Sequence, residues 1–154
     1  MIDVLAPKIR VVVQARTDSS RLPAKSLLPV AGFPSAILAA LRAENRGHSV
    51  FFATSDRPLD DLLSKTAQDA GLKVFRGPAE DVLQRFNLAT EDLDGRDVLV
   101  RLTADNVLPD GDLIEKTAQS FIAENAEYMD LPSIWGACPY GLSVELMRVG
   151  ALRE

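Results

Sequence analysis

The run Ile9 to Gln14 is rich in β-branched side chains and reads as a strand covered on both faces, as in a parallel sheet. The segment after it is no ordinary connection. Residues 15 to 35 contain Arg16, Asp18, Ser19, Ser20, Arg21, Pro23, Lys25, Pro29, Gly32 and Pro34, a long polar loop of the kind that compact domains keep for function. Pro34 and Ser35 then open an Ala-rich helix predicted from Ala36 to Glu44, with Asn45 and Gly47 as its stop.

The alternation repeats along the chain. Ser49 to Ala53 reads as a second strand, and Pro58 and Leu59 start a helix whose Leu62, Leu63, Thr66 and Ala70 are predicted to share the buried face, with Gly71 as its cap. Lys73 to Phe75 forms a short third strand, and Pro78 leads the helix carrying Val82, Leu83 and Phe86. Asp97 to Leu102 is a fourth strand and Asp110 an N-cap. Leu113 to Glu124 makes a fourth helix offering Ile114, Thr117, Phe121 and Ile122 for burial. After Met129 the pattern becomes a proline-bearing loop and then a strand-like Leu142 to Met147. Strands alternating with helices mean a three-layer α/β/α sandwich on a mainly parallel sheet, and residues 1–154 are expected to form a single domain. The chain ends at Glu154 within the expected start of a further helix, so a C-terminal truncation relative to its relatives is anticipated.

Composition narrows the chemistry. A net charge of −5 over 154 residues argues against a surface that holds a nucleic-acid backbone, because counterion release needs a broad basic field. No apolar run approaches the length of a membrane span, and a cytoplasmic protein without a membrane or nucleic-acid partner is the expectation. One cysteine, Cys138, offers neither an internal disulfide nor a thiolate metal cluster. One histidine, His48, in a loop-like stretch, argues against histidine-based triads and imidazole metal sites.

Phosphate would therefore be bound locally, and the first loop supplies the means. Arg16, Arg21 and Lys25 fall just beyond the C-terminal end of the first strand, the edge at which open α/β sheets bind their ligands. With Ser19, Ser20 and backbone N–H groups they suit a polyphosphate, Arg through planar bidentate contacts and Lys as a mobile charge. Ala24-Lys25-Ser26 mimics the end of a Walker A loop, but Ser19 and Ala24 stand at its glycine positions. Asp105, after the fourth strand on the same edge, is placed to hold Mg²⁺ against phosphates or to act as a turn residue. Asp60-Asp61 and Glu80-Asp81 lie early in predicted helices, where acids favour the helix dipole, and read as structural.

The stretch from Val13 to Leu28, Q-A-R-T-D-S-S-R-L-P-A-K at its heart, resembles the opening signature of the cytidylyltransferases that activate acidic and related sugars. The branch is the one named after a spore-coat polysaccharide biosynthesis protein, related to CMP-sialic acid and CMP-KDO synthetases. Gly32-Phe-Pro, Ala53-Thr-Ser-Asp56, Val74-Phe-Arg-Gly77, Glu80 to Phe86, Arg101-Leu-Thr-Ala-Asp105 and Tyr140 to Glu145 come after it in family order. The resemblance implies a nucleotide-diphospho-sugar-transferase-like fold that binds CTP at the strand ends. It implies that Arg16, Ser20, Arg21 and Lys25 contact the triphosphate, that Gln14, Ala15, Thr54 and Ser55 border the nucleotide, and that Asp105 ligates Mg²⁺. Arg16, Lys25 and Asp105 would carry the catalysis, and Trp135, Tyr140 and Glu145 would face a sugar or sugar-acid substrate.

The chain departs from that pattern at Ala24, where a glycine is usual, at Thr17-Asp18, and at Ser143, where an aspartate is usual. Asp18 would put a negative charge beside the phosphates. The reaction implied is transfer of CMP from CTP with release of pyrophosphate. The alternative is a catalytically impaired relative that binds nucleotide or a partner. A glycosyltransferase of similar architecture would show a D-x-D pair where Thr103-Ala-Asp105 stands. Leu131, Ile134, Trp135, Leu142 and Met147 gather apolar surface late in the chain, from which a homodimer is expected.

Overall fold

Val11, Val12 and Val13 are all fully buried, yet they belong to two different cores. Alternation along a strand sends Val11 and Val13 to one face of the sheet and Val12 to the other, so β1 (Ile9–Gln14) is the central strand of a layered molecule. The computed structural model describes residues 6–19, 21–44, 48–131, 139 and 141–154. Ser20, Ile134, Trp135, Cys138 and Tyr140, with the expected helix stop at Asn45 and Gly47, lie outside the described residues.

β1 pairs in parallel with β4 (Ser49–Ser55) on one side and β6 (Val98–Thr103) on the other. β4 pairs in parallel with β5 (Lys73–Gly77). Beyond β6 the sheet turns antiparallel, through β8 (Val144–Arg148) to β7 (Tyr128–Leu131) at the edge, giving the order β5-β4-β1-β6-β8-β7. The helices α1 (Ser35–Ala43), α2 (Asp61–Asp69) and α4 (Gly111–Ala123) pack on the face of Val11 and Val13. The helices α3 (Val82–Ala89) and α5 (Val149–Leu152) cover Val12. A small hairpin, β2 (Pro29–Val30) with β3 (Phe33–Pro34), sits inside the long first loop and turns on Ala31 and Gly32 at φ 51° and 86°, the left-handed pair that a tight hairpin demands.

The mainly parallel three-layer arrangement agrees with the sequence, and three local readings change. Tyr128–Leu131 is a strand rather than the start of a loop, because β8 offers it a hydrogen-bonding edge that only the folded sheet supplies. The buried face of α2 runs through Leu63, Ser64 and Ala67, while Leu62 is 64% exposed and Ala70 lies at the surface. Leu83 is also exposed, while Phe86 is buried as expected and the helix buries Arg85 and Ala89 beside it. The caps expected at Asp110 and Gly71 hold, and Asp81, expected only as a helix-dipole acid, is an N-cap as well. Asp110 Oδ1 accepts from the Leu113 N–H at 2.9 Å, Asp81 does the same for Gln84 at 2.8 Å, and Gly71 ends α2 at φ 82°. His48 is locked between the Ala43 carbonyl at 2.9 Å and Glu115 at 3.4 Å, a structural position.

At the opposite end of β1, buried Arg10 lies over the Phe51 ring and donates to Asp92 Oδ2 at 2.8 Å. Those hydrogen bonds hold the Asp92 carboxyl down at about 2. An unfolded Asp92 protonates near 3.8, so the pair's contribution is complete above that pH and is lost as the pH falls through about 2. Asp92→Asn is expected to flatten the dependence of unfolding free energy on pH between 4 and 2, measured by urea titration across that range.

Candidate active site

At the C-terminal edge of the parallel strands lies a cavity of about 420 Å³. Gln14, Ala15, Arg16 and Lys25 line it from the loop side, and Thr103 and Asp105 face them from the end of β6. Residues eighty apart in sequence meet here, with Lys25 Nζ 3.2 Å from Asp105 Oδ2. Burial alone would raise the Asp105 carboxyl. Hydrogen bonds from Thr103 and Lys25, together with the Lys25 charge, overcome that and hold it below the ordinary carboxylate value.

The first loop keeps its shape through its own polar groups. Ser26 Oγ donates to the Arg16 carbonyl at 2.6 Å, Ser35 Oγ to the Lys25 carbonyl at 2.9 Å, and the Ala24 N–H to the Thr17 carbonyl at 2.9 Å. Ala24 itself sits at φ 55°, left-handed backbone that a glycine would occupy without strain. Asp60 anchors the whole from below. Its buried carboxylate accepts from the Thr17 N–H at 2.8 Å, from Thr17 Oγ1 at 2.6 Å and from Ser55 Oγ. Burial works to raise the Asp60 carboxyl, and these donors from Ser55 and Thr17 outweigh it, so the group stays ionised below its usual range. Asp60 is thus structural in a different way from the helix-dipole role expected: it ties the cationic loop to β4. Asp61 instead pairs with Arg76 at 2.7 Å.

The other expected residues are spread around this edge. Arg21 is exposed and does not line the cavity. Thr54 and Ser55 are buried at the end of β4, Ser55 facing Asp60 and Thr54 Oγ1 without a partner. Asp18 lines the cavity, but its charge meets Arg57 at 3.5 Å, and Arg57 also binds Glu80. Neither Arg57 nor Glu80 was expected at the rim, and nothing in their local sequence announces the pairing. Glu145 lies in a second cavity of about 100 Å³, lined by Arg101, Thr103, Asn106, Asp130 and Ser143, which shares Thr103 with the first. Arg101 binds Glu145, Tyr128 donates to its Oε1 at 2.9 Å, and Asn106 Nδ2 donates to Ser143 Oγ at 2.9 Å. Burial, then the neighbouring Glu145 carboxylate, push the Tyr128 phenol up to about 12.

A family model described as cytidylyltransferase matches residues 10–135, which takes in both sides of the main cavity. The chain belongs to the cytidylyltransferase family. It is 31% identical over 157 residues to the spore coat polysaccharide biosynthesis protein SpsF of Bacillus subtilis, covering 93% of this chain and 64% of that one. An uncharacterised protein of Methanocaldococcus jannaschii is 33% identical over 149 residues, covering 96% of this chain and 59% of its own length. The chain therefore spans less than two thirds of these relatives. Among solved structures, a cytidylyltransferase from Leptospira borgpetersenii superposes with a TM-score of 0.86 at 26% identity, covering 96% of this chain and 63% of that one.

The loop geometry leads to two expected outcomes. Ala24→Gly is expected to raise stability by about 1 kcal/mol, since the left-handed strain of an L-residue is removed at a position already in that conformation. Thermal unfolding checks it. Asp60→Ala leaves the Thr17 N–H and the Ser55 hydroxyl without their acceptor, the Thr17 hydroxyl keeping the Leu59 carbonyl, and is expected to cost about 2 kcal/mol in urea unfolding and to weaken any anion binding at Arg16.

Proposed function

We propose that the chain carries the nucleotide-binding part of an enzyme that transfers CMP from CTP to a sugar or sugar acid with release of pyrophosphate, in the synthesis of surface polysaccharide or glycoconjugate precursors. The observation that carries this reading is the meeting of Arg16, Lys25 and Asp105 at one cavity on the strand ends, in a chain of the cytidylyltransferase family. A curated 3-deoxy-manno-octulosonate cytidylyltransferase of Anaeromyxobacter dehalogenans, 33% identical over 110 residues, supports a sugar-acid substrate. Asp18, which alone would favour an impaired binding module, has Arg57 to offset its charge.

In this reading the phosphates lie against Arg16 and Lys25, with Ser20 and Arg21 as further contacts from the same loop, and the base lies beside Gln14 and Ala15, with Thr54 and Ser55 behind. A sugar hydroxyl attacks the α-phosphorus in line. The new O–P bond forms as the bond from the α-phosphorus to the oxygen bridging to the β-phosphate breaks, pyrophosphate leaves with that electron pair, and the hydroxyl proton passes to solvent. Position and charge are the protein's contribution, with Lys25 and Arg16 meeting the charge that grows on the leaving group. Asp105 is the residue that would hold Mg²⁺. Among the described residues no group of three or more His, Cys, Asp or Glu gathers, and one carboxylate completed by phosphate oxygens and water is a donor set that Mg²⁺ accepts. When bound, the ion would supply positive charge to the phosphate oxygens. Glu145, with Trp135 and Tyr140, would face the sugar.

No helix among the described residues is long and apolar enough to cross a membrane. A homodimer remains part of the proposal, without Met147, which packs against the second core. Light scattering at high micromolar concentration tests it, a monomer counting against it.

The nucleotide reading is tested by calorimetric titration of CTP with Mg²⁺ and with EDTA. Wild type is expected to bind more tightly with Mg²⁺. Lys25→Ala is expected to weaken binding in both conditions by about 1.5 to 3 kcal/mol, the worth of a charge-assisted hydrogen bond. Asp105→Asn is expected to abolish the Mg²⁺ dependence and leave the fold intact. Equal affinity in EDTA, or an unchanged metal dependence in the variant, would make Asp105 a turn residue; no CTP binding at all would remove the reading.

A further inference from the structure

The largest fully buried side chain among the described residues belongs to a cation, Arg85 of α3. Its Nη1 donates to the Pro78 carbonyl at 2.7 Å and reaches the Ala79 carbonyl at 3.5 Å, while its Nε and Nη2 are buried without any partner. No carboxylate among the described residues lies within ion-pair distance of it. Arg10 and Arg148 show how this molecule otherwise buries arginine. Arg10 has Asp92 and the Ala89 carbonyl, and Arg148 has the Arg96 and Ala126 carbonyls and lies over the Phe121 ring. Removing an unpaired cation from water is costly, so Arg85 as it stands works against the stability of the fold.

What distinguishes its position is the oxygen it reaches. The Ala79 carbonyl also accepts from Arg16 Nη1 at 3.0 Å, so two guanidinium groups converge on one acceptor, one sealed in the protein and the other lining the cavity. Burial, and after it the charge of Arg16, lower the Arg85 pKa. Of the acids that act on Arg85 from a greater distance, Asp60 serves Thr17 and Ser55 and Asp81 the Gln84 N–H, while Asp56 is exposed to solvent and makes no ion pair with Arg85. Gly77 makes room for the stem, since a Cβ there would stand 3.2 Å from Arg85 Cγ and 2.9 Å from Phe75 Cε1.

We infer that Arg85 is a positioning residue for the polyphosphate site: it holds the Pro78-Ala79 turn that fixes Arg16, and its unpaired charge is balanced by the anion that Arg16 receives. The inference rests on reading the cavity as a polyphosphate site and assigns a role to a residue that does not touch the ligand. It explains why a destabilising group sits where a methionine would fill the same space.

The test uses inorganic tripolyphosphate as the probe, alongside CTP, with wild type, Arg85→Met and Arg85→Lys. Arg85→Met is expected to unfold in urea at the same concentration as wild type or higher. It is expected to bind tripolyphosphate about tenfold more weakly, with a shallower dependence on salt, as loss of one nearby, partly desolvated charge requires. Arg85→Lys is expected to recover most of that affinity. A structural staple would give the reverse pattern, so an Arg85→Met protein that fails to fold, or that is less stable yet binds tripolyphosphate as wild type does, overturns the inference. Wild type failing to bind tripolyphosphate overturns it as well. Wild type that binds tripolyphosphate but shows no preference for CTP over other nucleoside triphosphates leaves the role of Arg85 standing and removes the cytidylyltransferase reading.

Discussion

Asp60 is buried beneath the loop that carries Arg16, and the geometry of the cationic side of the cavity depends on how that carboxylate is satisfied. A buried carboxylate is costly unless donors surround it, and here the donors come from the loop, at Thr17, and from the end of β4, at Ser55. Meeting the electrostatic needs of Asp60 therefore holds the loop against the sheet. Arg16 comes directly after Ala15, whose N–H donates to the Ala53 carbonyl at 3.0 Å and so extends the β1 ladder by one more step before the loop departs. A flexible polar segment of this length would otherwise bring its cations to the cavity only at an entropic cost.

The same cavity holds charges in tension. Lys25 and Asp105 face each other at 3.2 Å, both partly exposed, which makes the pair weak in solvent and easy to part. In the function proposed above, a polyphosphate with a divalent cation would resolve this arrangement, the metal taking the carboxylate and the phosphates the ammonium. Arg85 adds a second unresolved charge on the far side of Arg16. Both an electrostatic cost at Arg85 and a conformational cost at Ala24 thus border the cavity edge of the sheet, the kind of local cost that folds offset elsewhere.

The smaller cavity is organised by register. Arg101, Glu145 and Asp130 are neighbours across β6, β8 and β7, so their side chains share one face and the smaller cavity opens among them. That register exists because β8 runs antiparallel to both of its neighbours, β6 and β7. An antiparallel edge on an otherwise parallel sheet is common in α/β folds, and here it sets Glu145 against Arg101 rather than leaving it free.

Local chemistry was legible in the sequence wherever neighbours along the chain decide it. The limits of β1 come from its β-branched run, the caps at Asp110 and Gly71 from residue type and position, and the importance of the loop from its cations and length. Arg16, Lys25 and Asp105 could be nominated because strand ends in such sheets point to one edge. Contacts between distant segments were not legible, because no local pattern encodes them. The phase of α2, with Leu63 and Ala67 inward and Leu62 outward, was set by where the sheet offered space. Asp60 reads in the sequence as a helix-dipole acid, and only the fold brings Thr17, 43 residues away, to donate to it. Nothing in the local sequence of α3 marks Arg85 as a buried cation. The sequence by itself determined the order of the elements and the inventory of charges, because propensity and periodicity are local; only the tertiary structure decided which charges are paired, buried or left over, because that depends on what the rest of the chain brings within hydrogen-bond reach.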